Sequence, residues 1–350
     1  MVDSDSVSGR ERETELVDVH DYDDLTVDVE GLVWPVEVPP FRDERFRSLW
    51  HRIQYIALRA SQRSTLALPL ALQKGVTGLV AGTGRLLDRR HREAARDFIR
   101  TALPDATPEE VTRLDKLAWR HLVRVALVSE GVNARIAGAR LGDHFAIQME
   151  PKAKEVLDRN EGGLLVTAHC GFWEASCLGL KGIGLRPGYA IGKAPRNDFV
   201  AQHMQRVRGG QGMRLIPRNG AMAAVPQAVR AGSFVGMLLD HRPRRKPVFA
   251  PFFGRMAGCD RSAGVLIRRV RAPIVFYGCY SAPGSEPTRD WRFELRFPKV
   301  ILPEELEGLG AVEIATLINR QLEELILHRP DEVFWLHDRF RGAPADPSSD

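Results

Sequence analysis

The chain has 350 residues, 44% of them apolar and 27% charged, which suits one large globular domain or two modest ones and excludes a collagenous or wholly disordered protein. The net charge of +5, carried mostly by arginine, suits an anionic partner: phospholipid headgroups, a phosphorylated glycolipid or nucleic acid. The four cysteines, Cys170, Cys177, Cys259 and Cys279, form no C-x-x-C pair and no zinc spacing, so free thiols in a reducing compartment are expected.

Residues 1–45 form an acidic block of weak periodicity that reads as a disordered tail or an extended arm, with Leu32-Val33-Trp34 as a patch to dock on the body. The block has no apolar stretch of signal-peptide type. No segment reaches the ~20 apolar residues of a membrane span. The nearest, Leu66 to Val80, is interrupted by Pro69, Gln73 and Lys74, and reads as an interfacial helix or a core helix.

Residues 46–150 carry a helical pattern and are expected to face a membrane. Leu114, Leu117, Ala118, Leu122, Val125 and Leu127 recur at helical spacing, and Thr107-Pro108-Glu109-Glu110 is a helix start with a Thr cap and Pro in the first turn. Arg85, Arg89, Arg90, His91 and Arg92 make a basic cluster, either a solvated helix face or a lipid-headgroup contact. From 151 to 342 the rhythm alternates. Short apolar runs at 163–168, 189–192, 213–216, 234–240, 274–280 and 291–297 read as strands, with helices at 172–180, 262–271 and 312–326. The expected fold class is α/β, a central mostly β-sheet core flanked by helices, with a helical N-terminal half. Residues 343–350 read as a disordered tail.

The segment Leu164-Leu165-Val166-Thr167-Ala168-His169-Cys170-Gly171-Phe172-Trp173-Glu174 carries the chemistry. An apolar strand ends at His169, Gly171 permits a tight turn, and a helix follows. Strand ends are where α/β sheets expose reactive groups. A neutral imidazole at His169 can remove a hydroxyl proton near pH 7, and Glu174 is expected to fold back and hold its other nitrogen. Other readings of the same residues are a structural histidine and a Cys170 thiolate with His169 as base. Neighbours at a strand end point to opposite sides, which disfavours the second, and Cys170 and Cys177 read better as small buried groups.

The C-terminal two thirds resembles the bacterial lipid A biosynthesis acyltransferase family, the late lauroyl and myristoyl transferases, which also includes phosphatidylinositol mannoside acyltransferases. The resemblance rests on His169-x4-Glu174, Ala194-Pro195-Arg196-Asn197-Asp198, Ile216-Pro217-Arg218-Asn219, Gly236-Met237-Leu238-Leu239-Asp240-His241, Pro251-Phe252-Phe253-Gly254, and Arg329 to Phe340 with its Trp335-x-His337-x-Arg339 pattern, all in order. It implies a glycerolipid-acyltransferase-like core and acyl transfer from acyl carrier protein or acyl coenzyme A to a hydroxyl of a glycolipid or phospholipid, with His169 and Glu174 catalytic. The candidate substrate-binding residues are Arg218, Asn197, Asp240, Phe252 and Phe253. Arg218 would bind an acceptor phosphate or a developing oxyanion, or form a surface salt bridge. Asp240 would hold Arg218 or a turn amide. Phe252 and Phe253 would line the acyl channel or fill the core. The basic loop of Arg242, Arg244, Arg245 and Lys246 would meet an acidic carrier or headgroups.

Two features depart from the family pattern. The acidic block stands where members carry a membrane-spanning helix, and Asp338 stands where a basic residue is common. Peripheral attachment at the cytoplasmic face of the inner membrane is therefore expected. No cofactor, metal or nucleic acid is expected. The competing functions are an acyl thioesterase, in which the same pair activates water, and a non-catalytic lipid-binding protein of the same fold.

Overall fold

The computed structural model describes residues 16–38, 48–243 and 246–344. Arg244, Arg245 and the ends at 1–15 and 345–350 lie outside the described residues, as does 39–47. In chain order, β1 (Val17–Asp18) precedes the helices α1 (Leu49–Ala67), α2 (Leu70–Leu87), α3 (Arg89–Ala102), α4 (Pro108–Ile136) and the short α5 (Leu141–His144). Next come β2 (Phe145–Met149), α6 (Pro151–Arg159), β3 (Gly163–Thr167), α7 (Trp173–Gly182), β4 (Gly188–Gly192), α8 (Asp198–Gly209) and β5 (Met213–Pro217). The last third holds α9 (Ala221–Arg230), β6 (Phe234–Leu238), β7 (Val248–Phe252), β8 (Arg255–Cys259), α10 (Arg261–Val270), β9 (Ile274–Ser281), β10 (Phe293–Ile301) and α11 (Ala311–His328).

Eight strands make one mixed sheet in the order β1-β2-β10-β9-β3-β6-β4-β5, and β7 and β8 form a separate hairpin. The five strands β9, β3, β6, β4 and β5 are parallel neighbours. Every residue of β3 and β9 is buried, as expected of central strands covered on both faces. One face packs on a core that includes Leu164, Val166, Val235, Ile274, Leu266 and Leu322. The other packs on Leu165, Phe234, Val275, Leu178 and Phe293. The long helix α4 serves both, with Leu114 and Ala118 in the first core and Val125, Val128 and Val132 in the second.

The start of α4 is a full capping box. Glu110 N–H donates to the Thr107 hydroxyl at 3.2 Å, and Thr107 N–H donates to the Glu110 carboxylate at 2.9 Å. Two elements differ from the sequence reading. Residues 145–149 fall in the stretch read as helical yet form β2, because the edge of β10 offers them a parallel partner. The hairpin of β7 and β8 lies in a stretch with no assigned strand. The described part of the acidic block is an extended arm. Its β1 pairs with β2, and Trp34 packs edge-on against Tyr189 at 5.7 Å with the Arg214 guanidinium 4.3 Å from its ring. The Tyr189 hydroxyl donates to Val36 O at 2.9 Å and accepts from Val36 N–H at 3.0 Å.

The helical half is tied together by one buried acid. Asp115 of α4 is fully buried and accepts from Arg85 of α2 and from Arg96 of α3, both at 3.0 Å through Nε. Removing that carboxylate leaves two guanidiniums facing each other without a counter-charge. We expect Asp115→Ala to lose roughly 3 kcal/mol, the low end of the buried-pair range because both arginines keep a wet edge. Urea unfolding checks this, and a loss within error of zero would contradict it.

Candidate active site

The register of the sheet sets the central contact. Gly163 pairs with Phe234 and Thr167 with Leu238, so residues of β3 lie beside those 71 positions later in β6. Continued two residues beyond both strands, the same register sets His169 beside Asp240. The Asp240 carboxylate accepts from the His169 backbone N–H at 2.9 Å and from ring Nδ1 at 2.7 Å. A carboxylate only accepts, so Nδ1 carries the proton and Nε2 is left as the basic nitrogen. Asp240 is 2% exposed. Burial pushes its acid up, but the charge and hydrogen bonds of His169 outweigh that and hold it well below the usual carboxylate range.

Glu174 takes a different partner from the one its spacing suggested. It sits in the first turn of α7, where it accepts from Trp173 Nε1 at 3.2 Å and from Arg208 of α8 through Nε at 3.1 Å and a second guanidinium nitrogen. Burial raises its acid, and the Arg208 charge and hydrogen bonds lower it further still, so it is ionised. The sequence reading placed Glu174 on the second ring nitrogen; Asp240 holds that position.

Glu174 and His169 line a cavity of about 720 Å³ at the C-terminal ends of the parallel strands, and Asp240 is buried behind His169. Arg218 lines it and donates to His241 Nε2 at 2.7 Å, while His241 Nδ1 donates to Leu238 O at 3.0 Å. Burial and the neighbouring Arg218 push the His241 imidazole down, so it is neutral. His337 lines the same cavity, its ring 4.9 Å from that of His169, and its buried Nε2 has no partner. Burial holds its pKa down at about 3.

Three of the expected binding residues lie elsewhere. Asn197 caps α8 by accepting from Phe199 and Val200 N–H at 3.1 and 3.2 Å, and it donates to His51 O at 2.9 Å. Phe252 is fully buried among Phe98, Phe253 and Phe340, and Phe253 packs on the same cluster. These are core positions because β7 and β8 fold back onto α11 and α3 rather than reaching the cavity. Cys170 is also buried, and burial pushes its thiol up to about 12, which rules out a thiolate nucleophile at neutral pH.

The turn that carries His169 is held from several sides. Gly171 has φ +58°, and a Cβ there would lie 1.9 Å from Cys279 O, so only glycine fits. Its N–H donates to Glu332 O at 2.7 Å, and Phe334 N–H donates to His169 O at 2.9 Å. Glu332 is itself buried and accepts from the Ser281 N–H at 3.0 Å and from its hydroxyl. The C-terminal segment thus splints the turn and carries His337 into the cavity. From α4, His121 donates through Nε2 to Gly171 O at 2.9 Å. Among the described residues, His169, Asp240 and His337 are one group of three whose donor atoms lie within 4.8 Å of one another. Each Asp240 oxygen accepts one hydrogen bond from His169.

Sequence reasoning gave no role to Arg208, His241, His337 or His121. His337 and His241 were signalled by lying in the quoted motifs. Arg208 and His121 carried no signal, because their partners are distant in the chain.

His121 supplies a pH test of the splint. It is fully enclosed, and burial first, then Arg124, lowers its pKa to about 3 from the ordinary 6.5. Between those values the unfolded chain takes up a proton that the native chain refuses. Stability is therefore whole above pH 6.5 and falls as pH drops, by up to about 1.4 kcal/mol per pH unit for one such group. We expect His121→Gln to reduce the slope of stability between pH 6.5 and about 4 by one group's share, as read by urea unfolding, since His337 and His203 refuse a proton over the same range. An unchanged slope would contradict it.

Comparison with known proteins bears on this geometry. Residues 49–342 match the family described as bacterial lipid A biosynthesis acyltransferase. The lipid A biosynthesis palmitoleoyltransferase of Escherichia coli (strain K12) is 23% identical over 267 residues, covering 75% of this chain and 82% of that protein. The lipid A biosynthesis acyltransferase of Shigella flexneri is similar to the same extent. The match takes in His169, Asp240 and His337 together with the helices that cover them, and the chain belongs to the bacterial lipid A biosynthesis acyltransferase family.

Proposed function

We propose that this protein transfers a fatty acyl chain from an acyl thioester to a hydroxyl of a lipid, with His169 as general base and Asp240 as the carboxylate that orients it. The observation that carries this reading is the 2.7 Å contact between Asp240 and His169 Nδ1, with His169 lining a cavity whose wall includes Met204, Met213, Met222, Leu215 and Leu266. His169 Nε2 takes the acceptor's hydroxyl proton as the oxygen attacks the thioester carbonyl. The new C–O bond forms, the C–S bond breaks, and the proton passes from the imidazolium to the departing thiolate. General-base help of this kind is worth about 10²–10⁴-fold. The pairing replaces a His-Glu base: Glu174 acts by fixing Arg208 at the cavity wall, where its charge can face the developing oxyanion or the donor. Arg218, exposed at the rim, is suited to an acceptor phosphate.

The donor is an acyl carrier protein or coenzyme A thioester, and the acceptor a glycolipid or phospholipid hydroxyl. The relatives' names, a palmitoleoyltransferase and an acyltransferase of lipid A biosynthesis, support that substrate class. The assay is acyl transfer to total source lipid from both donors, with free fatty acid measured in parallel. We expect His169→Ala and Asp240→Asn each to lower kcat by roughly 10²–10⁴-fold at native stability. Glu174→Gln and Arg208→Ala should also lose rate, with the double variant little worse than either single, because they act as one unit. Full activity in His169→Ala would sink the mechanism. Free acid as the sole product would establish a hydrolase, and stable lipid binding without turnover a binding protein.

The acceptor must be met at a membrane. No described helix is long and apolar enough to cross one. The helices α1 and α2 nonetheless expose Trp50, Ile53, Ile56, Leu72, Leu79 and Leu86, beside the basic run Arg89, Arg90 and Arg92. Such a face suits peripheral docking on the cytoplasmic side of the inner membrane, where the thioester donors are made. We expect Leu79→Asp with Leu86→Asp to lower sedimentation with anionic vesicles at least ~10-fold while sparing the fold. Undiminished vesicle binding would move the docking face elsewhere.

A further inference from the structure

The cavity at His169 takes its lining from both faces of the sheet, so it offers one arm on each. One arm runs down the α7 and α8 face of the sheet, past Ala190, Gly236, Met204 and Tyr277 to Cys177 and Met213. The other enters the α9 and α10 face, between Ala221, Met222, Ala263 and Leu266. His169 lines the same cavity at the strand ends.

The first arm ends on a wall with space behind it. Cys177 and Met213 line this arm and also a second void of about 10 Å³, whose other apolar sides include Leu165, Leu180, Leu185 and Phe234. That void is at the lower limit for a single water, so it is closed to a ligand as it stands. Cys177 and Met213 stand between the two spaces, and Met213 is the longer side chain. A Cβ built on Gly188, which also lines the void, would lie 3.5 Å from Met213 Cε and 3.6 Å from Sδ. Met213 is 6% exposed and projects from the first position of β5, so its backbone is fixed by pairing with Gly188. The lining above it is small: Ala190 and the side-chain-free Gly236 stay clear of a chain's path.

We propose that the α7-side arm holds the acyl chain of the donor and that Met213 is the stop that sets its length, which leaves the α9-side arm for the hydrocarbon of the acceptor lipid. This rests on the transferase reading above. An apolar groove grips a chain methylene by methylene, and a blind end discriminates where the last one meets the wall. Cys177 and Met213 are shared by the cavity and the void, and Met213, the longer side chain, opens the more space between them when truncated. Cutting it to alanine removes Cγ, Sδ and Cε, a length of about two methylenes.

The test is kcat/KM for a series of saturated acyl thioesters of increasing length, with total source lipid as acceptor. In Met213→Ala the optimum should move about two methylenes longer, and the ratio of long-chain to original-chain kcat/KM should rise at least roughly 10-fold. Gly236→Ala is the opposite probe and does not depend on the first variant folding. Its added Cβ meets Ala190 Cβ at 3.5 Å, an ordinary contact, so the strand tolerates it. It should narrow the arm and lower long-chain turnover selectively. Leu266→Ala, on the other arm, should leave the donor profile in place. A wild type that transfers but keeps one profile through Met213→Ala and Gly236→Ala overturns the stop alone. A donor shift in Leu266→Ala overturns the assignment of the arms. A wild type that transfers nothing overturns the transferase reading, and the stop falls with it.

Discussion

The pairing of Asp240 with His169 is the constraint on which the site depends. One carboxylate bonds both the backbone N–H and the ring of His169, so it sets which ring nitrogen is left free. It can do this because β3 and β6 are hydrogen-bonded neighbours whose register runs on beyond their last paired residues. A parallel sheet brings reactive groups to one edge, and here that edge sets an imidazole against a carboxylate, the base and orienting acid of the proposed mechanism. The buried acid is held ionised chiefly by the ring and backbone N–H of His169, which ties the two groups into one unit.

Much of the remaining chain holds that unit still. The turn after His169 passes through a left-handed glycine and is bonded on one side to His121 of α4 and on the other to the C-terminal segment. That segment is anchored in turn by fully buried groups. Trp335 packs edge-on against Phe98 of α3 at 4.8 Å, and Arg339 donates to Gly258 O with its guanidinium 4.7 Å from the Phe252 ring. The aromatic cluster around Phe252 therefore matters to chemistry it never touches. It fixes the chain that carries His337 against His169. A catalytic geometry built on rigid elements and supported from behind is the arrangement that keeps donor and acceptor groups in register during transfer.

What the sequence made legible follows physical range. Local signals read well: the Thr107 cap, the strand before His169, the amphipathic pattern of α11 and the absence of a long apolar span. The site was legible as far as its chain-local parts. His169 stood out as a histidine at a strand end, and Asp240 as an acid at another. Their contact was not legible, because it depends on β3 and β6 being neighbours, and residues 71 apart give no periodic signal. The spacing of Glu174 suggested a partner five residues back, but the carboxylate met Arg208 at 34 residues' distance, where charge outweighs proximity in sequence. Phe252 and Phe253 looked like channel residues for the same reason that they make good core: aromatic composition does not distinguish a wall from an interior. The strand β2 was hidden in a helical stretch because only its partner, β10, makes it a strand.

The account turns on which nitrogen of His169 is free. Asp240 as the orienting acid requires the proton on Nδ1 and a bare Nε2 toward the cavity. The direct measurement is the ¹⁵N spectrum of the His169 imidazole in the intact protein at neutral pH, assigned by its loss in His169→Ala. The account predicts a neutral ring protonated at Nδ1, with that tautomer preference lost in Asp240→Asn. A ring protonated at Nε2, or one indifferent to Asp240, would contradict it.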